Sequence, residues 1–521
     1  TVAAALRDRP EVEAVAVCLL FGFLHPGHEQ RVGELLGAAL PGVHVTLSSE
    51  VLPEFREFER LSTTVADAYL TPRLASYLRT LARGTARIGL AEPVVMQSSG
   101  GVVDLDVAAG HAAACLLSGP AGGVVGAAHL ARLSGFPDVL TFDMGGTSTD
   151  VAPVVGGSVR TTTESVVAGV PIRLPMVDVH TVSAGGGSIA WADSGGALRV
   201  GPRSAGADPG PAGYGRGGAD PTVTDADLFL GHLGDGAPLG GEIRLSRAAA
   251  GRALGRLGDR LGLPAEQVAE GIVAVAGAEM VRALRVISVE RGLDPREFAL
   301  LAFGGAGGMH ACALAEELGI RRVLVPYACG VLSALGLALG EVRRDYVRPR
   351  FGPLPLDLAA DFAALEAAAA RDLPGAGCAR LADCRYAGQS FELTVPADDP
   401  DRLAERFAAA HEARYGYRSD DRTVEVVAVR VVATVPADPP DLTPPPPDPG
   451  LGVGWRRVRV DRSWREVEVV PRAALGAGDR VRGPAVVEFA EATLVVRPGW
   501  SGRVDDVGTL VLEREQPGGV S

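Results

Sequence analysis

Residues 139–157 read VLTFDMGGTSTDVAPVVGG, and their pattern decides how the rest of the chain is understood. Val139 to Phe142 form an apolar, buried strand, and Asp143 stands where that strand runs out into a Gly-Gly turn. A second β-branched run, Val151 to Val155, follows at once and is closed by Gly156-Gly157. Gly145 and Gly146 lack a Cβ, so their backbone can take positive φ and present N–H groups to an anion as a concave nest. Thr147, Ser148 and Thr149 add hydroxyl donors. Asp143 and Asp150 bracket the turn with two carboxylates, suited to holding a hydrated Mg²⁺ against phosphate oxygens or to orienting a nucleophile. A nucleotide phosphate would use all of these groups. The structural alternative is an ordinary glycine-rich hairpin capped by hydroxyl residues. The loop is followed by a strand and holds no Lys, so it is not a Walker A motif.

The 521 residues leave room for two or three domains, each with its own core. Hydrophobic residues at 47% and charged residues at 22% are the balance of a soluble globular protein. A net charge of -13 argues against non-specific nucleic-acid binding, because no basic stripe is available to displace counterions. Cysteines 18, 115, 312, 329, 378 and 384 lack metal-type spacing and read as reduced, buried thiols of a cytoplasmic protein. No uninterrupted apolar run of about 18 residues predicts a membrane span. The chain opens at Thr1 with neither Met nor a signal-peptide pattern, and is expected to start inside a longer protein.

Taken in order, Thr1 to Leu47 alternates helix and strand, with strands expected at Val15 to Phe21 and Val43 to Leu47. Ser48 to Pro72 carries Glu50, Glu54, Glu57, Glu59, Arg56 and Arg60 on a helical pattern, read as a salt-bridged exposed helix or as one wall of a substrate cleft. Small residues dominate Ala112 to Leu133, where Ser118-Gly119-Pro120 can cap a helix and set its N-terminus beside the next strand. Met176 to Asp193 gives a strand, the run Gly185 to Gly187, and another strand, with Asp178 and His180 just before the glycines. Gly201 to Asp227 has too much Gly and Pro for regular structure. Arg247 to Leu261 and Ala265 to Arg291 are helices. Phe298 to Phe303 is a strand leading into Gly304-Gly305-Ala306-Gly307-Gly308-Met309-His310 and a helix from Ala311, the order in which backbone N–H groups and a helix start meet a nucleotide. Beyond Arg343 the composition changes, Pro436 to Pro449 is a stiff polyproline spacer, and the last 70 or so residues predict a separate β-rich unit.

A small-residue helix, then D-x-G-G-T-x-x-D, a long insert, and F-G-G-A-G-G-x-H before a helix resembles the actin, sugar kinase and heat-shock chaperone ATPase superfamily. Within it the chain is similar to the hydantoinase A / 5-oxoprolinase family through SSEVLPEFREFERLSTTVADAYL, MQSSGG, SGPAGGVVGA, DMGGTSTDV, HTVSAGGGSIA, SAGADPGPAGYGRGG with PTVTDADL, FGGAGGMHA and RYAGQSFELTVP. The resemblance implies an α/β, actin-like (ribonuclease H-like) ATPase fold with its N-terminal part missing, plus a β-rich C-terminal domain. Residues 1–110 would be the remainder of the first actin-like domain. Residues 111–345 would be the second, with a phosphate loop at 143–150 and an adenosine loop at 303–310. An α/β region at 346–435, a linker at 436–449 and the β-rich unit at 450–521 would follow.

The resemblance also implies ATP-dependent opening of a cyclic amide or imide of the 5-oxoproline or hydantoin type, with Mg²⁺ or another divalent metal. Gly145, Gly146, Thr147 and Thr149 would cradle phosphate, and Gly304, Gly305, Gly307 and Gly308 would border the adenosine. Asp143 and Asp150 would hold the metal and, with His180, serve catalysis; Glu50, His310 and Gly119 are further candidates. A hydantoinase B-type subunit is the implied partner in a homo- or hetero-oligomer. Family members open with another D-x-G-G-T-x-T-D loop, which this sequence lacks, so the chain alone is expected not to hydrolyse ATP. Gly213 stands where the family pattern has Cys. Two alternatives remain: the ATP-using subunit of a ketone carboxylase of the acetone or acetophenone type, and a non-catalytic, partner-binding scaffold.

Overall fold

The computed structural model describes residues 2–515 apart from 237, 240, 242 and 420; Thr1 and residues 516–521, the tail of the expected C-terminal unit, lie outside the described residues. The chain forms two compact units. The first runs to Ser118 and takes in Thr161–Met176 and Gly340–Asp438, and the second takes in Gly119–Arg160, Val177–Leu339 and the chain from Pro439. No helix among the described residues is long and apolar enough to cross a membrane.

The first unit is built on a six-stranded sheet in the order Leu393–Pro396, Gly377–Tyr386, Val424–Val435, Val342–Pro353, Val102–Asp104, Val94–Met96. Val424–Val435 lies inside the sheet, antiparallel to both neighbours, because its run VEVVAVRVVATV is apolar on both faces. Helices Ala359–Asp372 and Leu403–Tyr415 bury Phe362, Ala369, Leu403 and Phe407 in the same core. The boundary expected after residue 345 falls inside the strand Val342–Pro353, whose first residue pairs with Val102. Residues 346–435 therefore share a sheet with residues 94–104, a pairing that no local pattern reveals. A smaller parallel pair, Ala14–Val17 with His44–Leu47, packs under the helix Gly27–Ala39 through Val17, Leu36, Leu40 and Leu47.

Glu57–Arg87 is one helix of 31 residues, and it departs from the exposed, salt-bridged helix expected there: Arg60, Thr63, Thr64, Asp67 and Thr71 are buried. Glu54, just before it, is buried as well and accepts from Arg173 Nε at 2.8 Å and from Arg430. Arg430 also binds Asp383 at 2.8 Å, Arg173 also binds Glu392, and Arg56 binds Glu392 at 2.8 Å. Arg56, Arg173 and Arg430 are thus matched by Glu54, Asp383 and Glu392, and these buried or half-buried charges are all paired.

The second unit centres on a nine-stranded sheet. Its main path runs His180–Val182, Thr149–Val155, Val139–Met144, Ala299–Phe303, Arg322–Val325, Leu510–Arg514, Trp500–Val504, Arg480–Arg482, and Ser158–Val159 pairs with Thr149–Val155. Val139–Met144 is antiparallel to Thr149–Val155 but parallel to Ala299–Phe303, which is parallel in turn to Arg322–Val325. Helices Ser118–Leu133, Ala265–Ile287 and Gly307–Leu318 put Ala127, Ile272, Met280, Leu284 and Leu314 into the same core.

The C-terminal residues are β-rich, as expected, but they do not stand apart. Leu510–Arg514 extends the large sheet with Val323 opposite Leu512, and Trp500 is fully buried with its Nε1 donating to Glu316 at 2.8 Å. Among the described C-terminal residues, only Gly454–Val460, Ser463–Pro471, Ala485–Glu488 and Thr493–Val496 form a sheet of their own. The six cysteines are free, and Cys378 is exposed, contrary to the expectation that all are buried.

The small-residue helix Ser118–Leu133 meets the helix Leu332–Ala338 at backbone contact. A Cβ on Gly126 would stand 2.7 Å from the Leu332 carbonyl oxygen, and one on Gly336 would overlap the Gly122 carbonyl. We expect Gly336→Ala to cost about 3 kcal/mol in urea unfolding, because backbone cannot move aside as a side chain can. Gly277→Ala, where a Cβ meets nothing within 4 Å, is expected to leave the midpoint unchanged or raise it.

Candidate functional site

The hairpin runs in the register Phe142↔Val151, Asp143↔Asp150, Met144↔Thr149, which leaves residues 145–148 as the turn. Gly145 N–H donates to the Ser148 carbonyl at 3.1 Å and closes it. Neither Gly145 nor Gly146 takes the positive φ that their sequence permits. The turn instead supplies an open edge. The N–H groups of Gly146, Thr147 and Ser148 have no hydrogen-bond partner among the described residues, and a Cβ on Gly146 would meet nothing within 4 Å.

Asp143 and Asp150 are direct cross-strand partners, so their side chains leave the same face of the hairpin. Burial pushes the Asp143 carboxyl up to about 7, and the neighbouring Asp150 carboxylate adds to the rise. Burial raises Asp150 as well, partly offset by the Thr181 hydroxyl, which donates to its Oδ1. No cation is among the groups acting on either. Among the described residues no group of three or more His, Cys, Asp or Glu could hold a metal. A paired carboxylate site of this kind fits Mg²⁺, which keeps much of its water and binds through one or two carboxylates together with phosphate oxygens.

Two further loops close on the turn. Gly185 lies so near it that a Cβ would stand 2.6 Å from Thr147 C and 2.7 Å from Gly146 C and Ser148 N. Gly186 N–H donates to the Gly145 carbonyl at 3.0 Å and Gly187 N–H to that of Gly146 at 2.5 Å. The second loop follows Phe303, which pairs in parallel with Asp143, so both loops emerge from the C-terminal ends of neighbouring strands. Gly304 has φ +77, and a Cβ there would collide with Asp143 Oδ1; Ala306 N–H donates to the Met144 carbonyl at 3.0 Å.

The stretch Gly201–Asp227, expected to be irregular, ends in a helix, Val223–Leu230. It is opened by a capping box in which Thr222 accepts from Asp225 N–H and Asp225 accepts from Thr222 N–H. Thr224 donates through N–H at 2.7 Å and Oγ1 at 2.9 Å to the Gly186 carbonyl. Asp225 accepts from Ala212 and Gly213 N–H, and Asp227, fully buried, meets His232 Nδ1 at 2.8 Å. These residues were not singled out from the sequence, although T-x-x-D in PTVTDADL is a capping-box signal.

Within the second unit the structure brings Asp143, Asp150, Gly145, Gly146, Thr147, Gly304 and Gly305 to one place and turns Thr149, His180, Gly307 and Gly308 elsewhere. Thr149 is fully buried and its hydroxyl donates to the Ala184 carbonyl, so it supports the glycine triplet and does not face the turn's open edge. His180 lies opposite Val151, one residue before Thr181, so its ring leaves the other face of the strand from Asp150; burial and then Arg282 lower it. Gly307 and Gly308 are buried at the start of their helix, against the Phe142 carbonyl and the Thr493–Leu494 backbone. His310 is 4% exposed on the same helix. Gly119, at the start of Ser118–Leu133, is open on its Cβ side, and Glu50 is exposed on a short helix of the first unit. At Gly213, where the family pattern has Cys, a Cβ would stand 2.8 Å from Leu228 and 3.0 Å from Asp225 Oδ1.

An antiparallel hairpin continued by parallel strands, with a Gly-Gly turn and a glycine loop opening at the same sheet end, is the actin-like, ribonuclease H-like ATPase fold. Within that class the chain belongs to the hydantoinase/oxoprolinase family. Residues 60–346 match the family described as Hydantoinase/oxoprolinase, and residues 401–514 match the Hydantoinase/oxoprolinase C-terminal domain. The chain is 38% identical over 535 residues to caprolactamase subunit alpha of Pseudomonas jessenii, covering 96% of this chain and 76% of that protein. It is 32% identical over 548 residues to 5-oxoprolinase 1 of Arabidopsis thaliana, covering 97% of this chain and 42% of that protein. The crystal structure of the ATP-dependent caprolactamase from Pseudomonas jessenii superposes with a TM-score of 0.83 at 36% identity, covering 99% of this chain and 79% of that one. A nucleotide-free acetone carboxylase superposes with a TM-score of 0.80 at 26% identity, covering 98% of this chain and 78% of that one.

Proposed function

We propose that this chain is the ATP-using part of an enzyme that opens a cyclic amide or imide. The observation that carries the reading is the Asp143–Asp150 pair beside a turn with three unpartnered N–H groups and an open edge. The relatives support it, since one is named a caprolactamase subunit and another a 5-oxoprolinase. A ring amide is a poor electrophile. Transfer of the γ-phosphoryl group to its carbonyl oxygen forms an O–P bond, breaks the bond to ADP and releases the ring N–H proton, leaving a carbon that water can attack.

In this reading the N–H groups of Gly146, Thr147 and Ser148 bind phosphate oxygens, with the Thr147 hydroxyl beside them. Gly304 and Gly305 border the nucleoside, and Asp143 and Asp150 would hold Mg²⁺. When bound, the ion supplies neutralisation of phosphate charge. A hydantoinase B-type partner subunit completes the enzyme, a reading favoured by the relative named a subunit alpha.

The test is calorimetry with Mg-ATP on the full-length protein, followed by ADP release from that protein with its partner subunit in the presence of 5-oxoproline, hydantoin or caprolactam. Saturable heat that disappears in EDTA, and ADP release stimulated by one of the rings, are the expected outcomes. The second reading, a ketone carboxylase component, draws on the likeness to acetone carboxylase and shares phosphorylation of a carbonyl oxygen. ADP release that requires acetone and bicarbonate while ignoring every ring would replace the first reading with the second.

A further inference from the structure

Asp227 sits where the helix Val223–Leu230 and the nearby His232 meet the helix Gly307–Leu318, which is distant in sequence. Its side chain has no solvent exposure, Oδ1 meets His232 Nδ1 at 2.8 Å, and Oδ2 lies 3.4 Å from His310 Nε2. Neither Asp227 Oδ2 nor His310 Nε2 makes a hydrogen bond to any described residue. His232 Nε2 faces the Arg459 carbonyl at 3.3 Å, so that imidazole lies between two acceptors and serves the contact with the strand Gly454–Val460. Burial alone would raise the Asp227 carboxyl, but His310 and His232 outweigh it and hold it below the usual range.

His310 is different in kind. It stands in the first turn of the helix Gly307–Leu318, immediately after the loop whose Gly304 touches Asp143. Asp227 lies on the helix whose Thr224 grips Gly186, which in turn bonds to the Gly145 carbonyl of the hairpin turn. The Asp227–His310 pair therefore joins the support of the phosphate-type turn to the helix that carries the glycine loop. A buried carboxylate facing a buried imidazole, with no completed hydrogen bond between them, is costly unless the two close on each other. Apo sites often hold such contacts long, tightening them once ligand is bound.

We infer that Asp227 and His310 form a positioning pair that fixes the distance between the two nucleotide loops, closing when nucleotide engages both. The inference rests on the proposed reading of those loops as a nucleotide site. Neither residue touches the nucleotide; Asp227 acts through His310 and through Thr224.

The test is a double-mutant cycle on Mg-ATP affinity, measured by calorimetry below the melting temperature of every variant. Asp227→Asn and His310→Leu are each expected to weaken binding by about 10-fold. The double variant should be no weaker than the poorer single one, because one contact is lost in each case. His310→Gln, which keeps an N–H donor, should recover most of the affinity. His232→Gln should lower the melting temperature yet leave the affinity within about 2-fold, since its second contact is to Arg459 alone. A purely structural role predicts instead that His232→Gln and His310→Leu behave alike, and that result, or additive losses in the cycle, overturns the inference. If the unaltered protein shows no Mg-ATP binding, the nucleotide reading itself fails. If it binds and all five variants bind equally well, only the positioning pair is lost.

Discussion

Below about pH 7, loading the Asp143–Asp150 pair with Mg²⁺ and nucleotide is expected to release close to one proton. Well above that pH it should release almost none. The Asp143 carboxyl stands at about 7 in the folded chain against an ordinary 3.8, so at acidic and neutral pH the site carries a proton that a divalent cation must displace. The same shift fixes the sign of the stability change. Between the ordinary value and about 7, the folded chain binds more protons than the unfolded one, so stability falls as pH rises through that window, by up to about 4 kcal/mol. Asp150, also raised, works in the same direction. Calorimetry in buffers of different ionisation heat counts the released protons directly. Asp143→Asn should remove the proton release, weaken Mg-ATP binding by about 100-fold and make the fold more stable at alkaline pH. Undiminished proton release in that variant would place the titrating group elsewhere.

Gly185→Ala is expected to abolish Mg-ATP binding while leaving a folded protein with a lowered melting temperature. The added methyl would lie within 2.7 Å of three backbone atoms of the turn, Gly146 C, Thr147 C and Ser148 N, and no rotamer relieves a clash made by Cβ. The turn must move away, carrying its N–H groups with it. The cost of about 3 kcal/mol corresponds to several degrees in melting temperature. Gly186→Ala is the informative comparison, because there the nearest atom is the Thr224 hydroxyl at 2.7 Å, which can rotate. Equal binding by the Gly185→Ala protein and the parent would mean that the turn's conformation does not matter for nucleotide.

Much of this architecture was legible in the sequence because it rests on local pattern. The strands Val139–Met144, Ala299–Phe303 and Val424–Val435 announce themselves as apolar or β-branched runs, and the glycines at 145–146, 185–187 and 304–305 mark the places where backbone must approach backbone or lie open. The helix Val223–Leu230 was obscured by the Gly- and Pro-rich residues before it, although Thr222 and Asp225 spell its cap. His180 looked like a site residue because it stands near the glycine triplet, but strand alternation turns its ring away from Asp150. The acids and arginines around residues 54–60 suggested a solvated helix because composition does not record burial; the partners of Glu54 and Arg56 lie more than a hundred residues further along, and Arg60 donates to the Leu19 carbonyl. The placement of the C-terminal strands was likewise out of reach, since the edge that Leu510–Arg514 extends is formed by residues almost two hundred positions earlier.

That buried charge network also dictates how this protein can be cut. Glu54, Arg173, Asp383, Glu392 and Arg430 come from three separate stretches of chain, yet each neutralises another inside one unit. A gene fragment that follows sequence boundaries, for instance one beginning at Gly340, would keep Arg430 and Asp383 but discard Glu54 and Arg173. Glu392 would then be left without its buried guanidinium partners. Dissection of the first unit should follow its ion pairs: its smallest self-sufficient version is a spliced polypeptide that retains all three stretches, and recombinant truncations ending between them are expected to be insoluble.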